Sequence, residues 1–433
     1  MAELASMQRY DSYKDSGVRW LDKIPENWEV ERSQWLFTQR KERARKEDKQ
    51  LTASQKYGMI SQEKFMEIEG RRVTQVEFNP EILKHVEAND FVISMRSFQG
   101  GIEYCGEVGC VSSAYVPLIP SKNIHAPFFK YLLKSQRYIE ALQSTSNLVR
   151  DGQALRYDNF RMVDLPIIPI DEQTTIANFL DKKTAQIDEA IAIKEKQTGL
   201  LKERKKIVIQ QSVTQGLTPD VPMKDSGVDW IGKIPEHWDV RRAKYIFKKQ
   251  SRAVRKQDDV ITCFRDGEVT LRTNRRTEGF TFASKEHGYQ GIRKGDLVIH
   301  AMDAFAGAIG VSDSDGKSSP VYSVCTPQAH DTVNCKYYAL YLRNLAIGGF
   351  IESLAKGIRE RSTDFRFNDF AELFFPLPDY RTQCEVVSYI EQQHAKIDSG
   401  IQHLEKQIVK LKEYKTTLIN SAVTGKIKVP GVV

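Results

Sequence analysis

Two long stretches of the chain carry apolar residues at the spacing of an α-helix. Residues 171–213 and 380–423 contain no proline and no interior turn cluster, so each predicts one helix of about 40 residues. Because an isolated apolar stripe is unstable in water, we expect the two helices to pack on each other in antiparallel fashion. The apolar seams are Leu180, Ile187, Ile191, Leu201 and Val208, interrupted by Lys194 and Thr198, and Ile390, Ile397, Ile401, Leu404, Ile408, Leu411 and Leu418.

The rest of the chain consists largely of short apolar runs bounded by Gly, Asn and Asp, which are typical of β-strands in a compact mixed domain. These runs cover residues 91–95, 111–118, 297–299 and 308–311. A short helix with aromatic residues is predicted within residues 127–142 and another within residues 336–353. Each long helix is therefore preceded by a small domain of strands and one short helix.

The chain contains two copies of one sequence pattern, 210 residues apart. Residues 14–30 read KDSGVRWLDKIPENWEV and residues 224–240 read KDSGVDWIGKIPEHWDV. Agreement over this length indicates an internal duplication. Residues 54–82 and 262–294, by contrast, share no run that aligns, so the middles of the two halves have diverged. The offset recurs downstream in the pairs Gln173/Gln383, Ile187/Ile397, Asp188/Asp398, Leu201/Leu411, Lys202/Lys412, Val213/Val423 and Thr214/Thr424.

These patterns predict an α+β protein in which two tandem mixed α/β domains are joined by two long antiparallel coiled-coil helices, with an internal pseudo-two-fold repeat. The expected boundaries are residues 1–165 for the first globular domain and 219–375 for the second. The two spacer helices are expected within residues 166–218 and 376–433. Two globular domains held by a helical spacer suit the reading of two DNA half-sites, although a coiled-coil adaptor would share the helices.

The charge of the chain favours an anionic partner without proving one. The formal net charge is +7 and the pI is about 8.9, a small excess for 433 residues. No apolar run reaches 18 residues and no leader opens the sequence, so we expect a cytoplasmic protein. The six scattered cysteines indicate reduced thiols rather than a zinc site. Basic residues form two clusters, which are either solvated helix faces or nucleic-acid contacts. The clusters are Arg40, Lys41, Arg43, Arg45 and Lys46, and Lys248, Lys249, Arg252, Arg255 and Lys256.

The sequence shows no motif for catalysis by this chain. It contains no Walker-type phosphate loop, no Ser or Cys nucleophile motif, no HExxH and no cofactor loop of a base methyltransferase. The carboxylates at residues 171–172 and 188–189 are expected at a helix N-terminus and on a solvated helix face. The absence of these motifs is uniform, and the sequence gives no residue set to which we would assign catalysis.

Candidate DNA contacts follow from residue type and position. An Arg between apolar residues precedes each long helix, at Arg156 and Arg366, and basic loops lie just upstream, around Arg150 and Arg359. Such side chains reach phosphates or base edges, although an Arg among aromatic residues also stacks in purely structural roles. The full set of candidates is Arg71, Arg72, Arg96, Ser97, Gln99, Arg150, Arg156, Arg272, Arg275, Arg276, Arg359, Arg361 and Arg366.

Three repeated elements together resemble the DNA-specificity subunits of type I restriction-modification systems. The first is the K-D-S-G-V-x-W-x-x-K-I-P-E-x-W opening, and the second is the proline-rich lead into each long helix, at residues 165–169 and 375–378. The third is the Ile-Asp pair in each helix, at residues 187–188 and 397–398. The resemblance covers essentially the whole chain. One departure is Thr382, which stands where the first repeat has Glu172, and we expect little consequence from it.

The resemblance implies that each globular domain is a target recognition domain that reads one half of a split site in double-stranded DNA. The long helices would set the unspecified gap and dock two modification (methyltransferase) subunits. It also implies that this chain is not catalytic, because S-adenosylmethionine, ATP and Mg would be bound by partner subunits, which include restriction or translocase subunits in complete systems. The implied location is a prokaryotic cytoplasm, with no membrane contact.

Two other classes of protein stay open at this point. An autonomous nuclease or methyltransferase would be active as a purified chain. A coiled-coil adaptor would bind protein partners without a sequence preference for DNA. An adaptor would contain the long helices but would not need two duplicated globular domains. The reading of two DNA half-sites does need two such domains.

Overall fold

The computed structural model describes residues 7–70, 72, 82–95, 97–145, 156–275, 287–329, 331–354 and 364–432. The chain divides into two compact units, the first formed by residues 1–195 and 406–433 and the second by residues 196–405. Each unit contains a set of short strands and helices, which we call its head, together with one half of each long helix.

The head of the first unit precedes the first long helix. Its strands are β1 Tyr13–Asp15, β2 Lys23–Pro25, β3 Glu29–Arg32, β4 Phe37–Gln39, β5 Leu51–Ser54, β6 Gly58–Ser61, β7 Lys84–Val86, β8 Phe91–Ile93, β9 Glu103–Tyr104, β10 Gly109–Val111, β11 Val116–Pro120 and β12 Asp164–Ile167. Its helices are α1 Ser33–Leu36, α2 Gln62–Glu69, α3 Ser97–Gly100, α4 Ala126–Leu132, α5 Gln136–Ser144 and α6 Tyr157–Phe160. The first long helix, α7, is Ile170–Gln215.

The head of the second unit repeats the order of strands, with fewer α-helices among its described residues. Its strands are β13 Met223–Asp225, β14 Lys233–Pro235, β15 Asp239–Arg242, β16 Phe247–Lys249, β17 Ile261–Cys263, β18 Val269–Leu271, β19 Gln290–Ile292, β20 Leu297–His300, β21 Ile309–Val311, β22 Gly316–Ser318, β23 Tyr322–Pro327 and β24 Phe374–Leu377. Its helices are α8 Ala243–Ile246, α9 Cys335–Ile347, α10 Phe350–Ser353 and α11 Phe367–Glu372. The second long helix, α12, is Tyr380–Val423.

The two heads have the same sheet topology although their middle sequences do not align. The four-stranded sheet is ordered β4-β11-β8-β9 in the first head and β16-β23-β20-β21 in the second, with every pair antiparallel. The two-stranded ribbons β5-β6 and β17-β18 also correspond. A strand needs only apolar residues on its buried side, so the fold persists while individual residues change.

The single short helix predicted for each head is in fact two helices, α4 with α5 and α9 with α10. In the first head the break lies at Ser135, whose hydroxyl accepts a hydrogen bond from the backbone N–H of Tyr138 and caps α5. In the second head it lies at Gly349, whose φ of 81° is in the left-handed region.

Within the first unit, the N-terminal half of α7 packs against the C-terminal half of α12. Lys415 Nζ lies 2.6 Å from an Asp188 carboxylate oxygen, and Lys194 Nζ donates to Gln407 at 2.6 Å. Residue numbers rise along one helix as they fall along the other, so the pair is antiparallel. Buried aliphatic residues in this part of the core are Leu180, Ile187, Ile191 and Leu418.

Within the second unit, the remaining halves pack in the same manner. Lys205 Nζ lies 2.7 Å from Asp398, and each of these residues is 210 positions from Lys415 or Asp188. The predicted packing of the long helices on each other is therefore confirmed in each unit. Asp188 lies on an exposed helix face, as expected, and in each repeated Ile-Asp pair the Asp also receives a Lys from the other helix.

A repeated glutamine ties the start of each long helix to its head. The Gln173 side chain is fully buried, and its carbonyl accepts the backbone N–H of His125 at 2.8 Å. Its amide donates to the carbonyls of Asn123 at 2.9 Å and Ile168 at 2.7 Å. These bonds satisfy the buried amide of Gln173 together with three backbone groups of the head. Gln383 makes the corresponding bonds to Asn334, Thr332 and Pro378 at 2.7, 3.2 and 2.8 Å.

The position next to this glutamine differs between the repeats, and the difference has a structural consequence. Glu172 is buried and accepts hydrogen bonds from Trp28 Nε1 at 2.9 Å, from Asn27 Nδ2 at 3.2 Å and from the Tyr10 hydroxyl. At the equivalent position, Thr382 instead donates to Asp379. Within the described part of the chain, the buried indole N–H of Trp238 consequently has no acceptor. The expectation of little consequence is wrong.

Substituting these equivalent positions distinguishes their roles. We expect Glu172→Ala to lower the free energy of unfolding by about 2 to 3 kcal/mol, because it leaves buried donors without an acceptor. Thr382→Ala is the matched control and should change it by less than about 1 kcal/mol, since an exposed bond at a helix start is lost. Denaturant unfolding of the full-length variants measures both. Equal effects would contradict this assignment.

His85 is an ionisable residue in the interior of the first head. Nδ1 lies 2.8 Å from Asp48 Oδ2 and Nε2 lies 2.8 Å from Glu87 Oε1. Burial alone lowers the pKa of His85, but the hydrogen bonds to Glu87 and Asp48 outweigh it and raise this pKa above its ordinary value. The second head instead uses Arg293, which lies 3.1 Å from the buried carboxylate of Asp258.

The first head should therefore lose stability as the pH rises. Charged His85 stabilises the folded state fully below its unfolded-state pKa of about 6.5, and this contribution disappears as the pH passes through the raised folded-state pKa. We expect His85→Gln to remove this part of the pH dependence of denaturant unfolding. His237→Gln, at an exposed histidine, is the control. An unchanged pH dependence in His85→Gln would refute the assignment.

Candidate nucleic-acid interface

Each head presents a surface made by a hairpin turn and the loop that follows a central strand. In the first head, the turn between β5 and β6 brings the Gln55 side chain against the backbone of Gly100 in α3. In the second head, the turn between β17 and β18 brings Arg265 to Asp303, with Nη2 2.7 Å from Oδ1. We call these the hairpin–loop surfaces.

An exposed cation and an exposed methionine occur on each hairpin–loop surface. The side chains of Lys56 and Arg265, at the hairpin turns, are 72% and 65% exposed. Met95 and Met302, in the loops, are 53% and 49% exposed. Each hairpin–loop surface therefore carries an exposed cationic side chain and an exposed apolar one.

Sequence reasoning missed these methionines. Residues 95–102 read MRSFQGGI and residues 302–309 read MDAFAGAI, so both loops follow the pattern Met-x-x-Phe-x-Gly-x-Ile. The offset here is 207 rather than 210 residues, which a comparison at the fixed offset does not detect. The pattern was available in the sequence, but the exposure of the methionines was not.

The arginines of the second hairpin–loop surface are held by acidic and aromatic neighbours. Arg275 lies 2.6 Å from Asp266 and 3.0 Å from Glu268, and its guanidinium is 4.2 Å from the centre of the Phe264 ring. Arg272 Nε donates to Thr262 Oγ1 at 3.3 Å. These contacts restrict the rotamers of the arginines, so less conformational entropy remains to be lost on binding.

The structure places the candidate residues in different environments. Arg72, Gln99, Arg156, Arg275 and Arg366 are exposed, and Arg272 is half-buried. Ser97 is fully buried and its hydroxyl accepts the backbone N–H of Ser94 at 2.9 Å, so it shapes the loop beneath Met95. No contact with DNA is established for any of them. Arg71, Arg96, Arg150, Arg276, Arg359 and Arg361 lie outside the described residues.

Arg156 and Arg366 occupy equivalent positions at the starts of α6 and α11. The backbone N–H of Arg156 donates to Asn159 Oδ1 at 3.2 Å, and that of Arg366 donates to Asp369 Oδ2 at 3.1 Å. Their side chains extend to solvent, and Arg366 also pairs with Asp364 at 2.7 Å. These hydrogen bonds cap the two helices and fix the backbone at Arg156 and Arg366, while both guanidinium groups stay at the surface.

Several members of the two basic clusters are engaged in ion pairs within their own head. Arg40 lies 2.6 Å from Asp90, and Arg252 contacts Asp296 at the equivalent place in the second head. Arg255 lies 3.2 Å from Asp315. The clusters are therefore partly structural. Exposed members include Lys41, Lys46, Lys248, Lys249 and Lys256.

Other kinds of site have little support in the described part of the chain. No group of three or more His, Cys, Asp or Glu side chains is arranged there to hold a metal ion. All six cysteines are free thiols, and burial raises the pKa of Cys105 to about 12 and that of Cys110 to about 11. None of the described helices is long and apolar enough to span a bilayer.

Comparison with known proteins relates this chain to the type I restriction-modification systems. Residues 25–198 match the family model for the type I restriction modification DNA specificity domain. The type I restriction enzyme EcoBI specificity subunit of Escherichia coli is 22% identical over 372 residues, which are 79% of this chain and 74% of the relative. Residues 25–198 therefore belong to the type I DNA specificity domain family, and the wider chain is similar to a type I specificity subunit. This confirms the resemblance seen in the repeated sequence elements.

Solved structures support the fold assigned to this chain. A chain from a study of complex assembly and conformational transition in the type I restriction-modification system has a TM-score of 0.67, with 13% identity over 92% of this chain and 98% of that one. The crystal structure of the HsdS subunit from Thermoanaerobacter tengcongensis has a TM-score of 0.54, with 15% identity over 93% and 98%. The predicted α+β fold class is confirmed.

Removing the cation of a hairpin–loop surface should weaken binding to DNA. We expect Lys56→Ala and Arg265→Ala each to lower the affinity of the full-length subunit for duplex DNA and to reduce the slope of log affinity against log salt by about one. Lys206→Ala, at an exposed helix cation, is the control. Titrations at several salt concentrations measure both quantities. Equal effects of all three variants would argue against the surfaces as contacts.

Proposed function

We propose that this specificity subunit recognises a bipartite site in double-stranded DNA, with each head reading one half. The observation that carries this proposal is that two heads of identical topology present equivalent hairpin–loop surfaces built from different residues. A common frame with different contact residues is what two different half-sites require. The residue differences therefore carry the sequence information.

The chemistry of these surfaces suits a DNA groove. Lys56 and Arg265 supply charge for phosphates, which contributes affinity without sequence preference. Amide and guanidinium groups such as those of Gln99 and Arg275 pair with purine edges, and apolar side chains contact the thymine methyl. Each good base contact discriminates by about 1 to 3 kcal/mol, so a head with few contacts gains selectivity when two heads act together.

The long helices are proposed to set the gap between the half-sites and to dock two modification subunits. Lys415 with Asp188 and Lys205 with Asp398 fix the register of the helix pair in each unit. A helix pair held in one register cannot easily change its length, so the gap becomes part of the recognised site. Exposed apolar residues on these helices, including Ile193, Leu200 and Val409, offer contacts to partner subunits.

Catalysis is proposed to belong to the partners. S-adenosylmethionine would bind the modification subunits, and ATP and Mg would bind restriction or translocase subunits where these are present. The role of this chain is then to place the modification subunits at a chosen sequence, in a prokaryotic cytoplasm. The expectation that the chain itself is not an enzyme rests on the family and on the absence of catalytic motifs from its sequence.

Selection from randomised DNA tests this proposal. The full-length chain, co-expressed with its modification subunit, is incubated with random duplex DNA at one stated salt concentration and the bound fraction is sequenced. We expect two short specified blocks separated by a constant unspecified gap. The modification subunit alone is the control and should enrich no such pattern. A stable complex that enriches nothing would replace this function with that of a protein adaptor.

A further inference from the structure

Among the described residues, two aromatic rings at the same position of the repeat are exposed to an unusual degree, one in each unit. Trp35 in α1 is 63% exposed and Tyr245 in α8 is 66% exposed, and they lie 210 residues apart. For comparison, Tyr380 at the start of α12 is 42% exposed. The hydrophobic effect opposes such exposure. Because an exposed ring occurs at this position in both units, we expect a binding partner to cover it.

The short helices α1 and α8 hold these rings outward on a rigid base. Ser33 and Leu36 point inward in α1, and the Ser33 hydroxyl donates to the carbonyl of Val163. Ala243 and Ile246 point inward at the equivalent positions of α8. Because the inward positions are fixed by packing, the intervening ring projects from the surface in a defined direction.

A cation accompanies each ring. The Arg32 guanidinium lies 5.8 Å from the centre of the Trp35 ring, and Lys244 Nζ lies 5.6 Å from that of Tyr245. Arg242, which is equivalent to Arg32, lies next to Lys244 in the same ion-pair group. Aromatic rings with neighbouring arginines are the residue types that dominate binding energy at protein interfaces.

The surroundings of the rings favour a protein over DNA as the occupant. In the second unit, the Glu372 carboxylate lies 3.0 Å from Arg242 and 2.7 Å from Lys244, so both cations beside the ring are already paired within the chain. In the first unit the equivalent position is Met162, which is 65% exposed. The feature common to both units is therefore the ring, not an excess of charge. Paired duplex bases also leave no free face for such a ring to stack on.

We propose that Trp35 and Tyr245 anchor two equivalent docking patches, each of which binds one copy of the same partner, the modification subunit. The two heads are built to read different DNA, so a surface feature that they share serves a partner that is the same for both. The partner supplies an apolar pocket for each ring. This inference rests on the proposed function and names the patches where its partner binds.

Stoichiometry tests the proposal. The full-length chain is mixed with purified modification subunit, and the mass of the complex is measured by light scattering after size-exclusion chromatography. We expect two copies on the wild-type chain and one copy on either Trp35→Ala or Tyr245→Ala, because each variant loses one patch. Affinity at the altered patch should fall by about thirty-fold or more, as for an interface hot spot. Trp35→Phe and Tyr245→Phe should retain two copies.

Controls separate this proposal from the proposed function. Met95→Ala and Met302→Ala remove exposed apolar groups from the hairpin–loop surfaces and should still bind two copies. Two copies bound with wild-type affinity by both ring variants would overturn the docking patches, whatever the DNA result. Weaker DNA binding by the ring variants without the partner, at unchanged stoichiometry, would overturn them in favour of a DNA contact. A wild-type chain that selects a bipartite site but binds no modification subunit would reject the patches while leaving DNA reading intact.

Discussion

Neither long helix can bury its apolar stripe without the other, and much of the architecture depends on this constraint. In each unit, one half of α7 covers one half of α12. The C-terminal end of each helix then enters a head. Leu418 and Val423 of α12 complete the core of the first unit, and Val213 of α7 completes that of the second, where its carbonyl accepts the Tyr337 hydroxyl at 2.7 Å. A compact unit is therefore not a sequence repeat, because each head is finished by a helix end that follows the other head in the chain.

This arrangement divides the residues of a head between two tasks. The interior must bind the start of a long helix through Gln173 or Gln383. A tryptophan must also pack where a long helix ends, and Trp28 lies beside Gly425 while Trp238 lies beside Gly216. These positions recur in both repeats because helix packing allows few alternatives. The hairpin turns and loops are not constrained by the packing of the long helices. They can change residue by residue, and the same sheet then presents different chemistry to a partner.

The sequence predicted the features that repeat or have a regular period. The heptad seam, the Ile-Asp pairs and the duplicated opening led to the α+β fold, the antiparallel helices and the family. Pairing between distant residues was not accessible in this way. Nothing in the sequence indicates that the Asp of each Ile-Asp pair receives a Lys from the other helix, or that the diverged middles keep one strand order. The candidate DNA contacts were chosen by residue type, and residue type does not report exposure, as the buried hydroxyl of Ser97 illustrates.

The differences between the repeats extend into their interiors, which bears on how the heads came to differ. A buried carboxylate is paired with His85 in one head and with Arg293 in the other, and the indole of Trp28 has an acceptor that Trp238 lacks. Neither difference lies on a hairpin–loop surface. The two heads therefore pair their interior polar groups differently, within one topology. The packing frame must then tolerate local changes in stability, and this tolerance allows the recognition surface of one head to change without rebuilding the other.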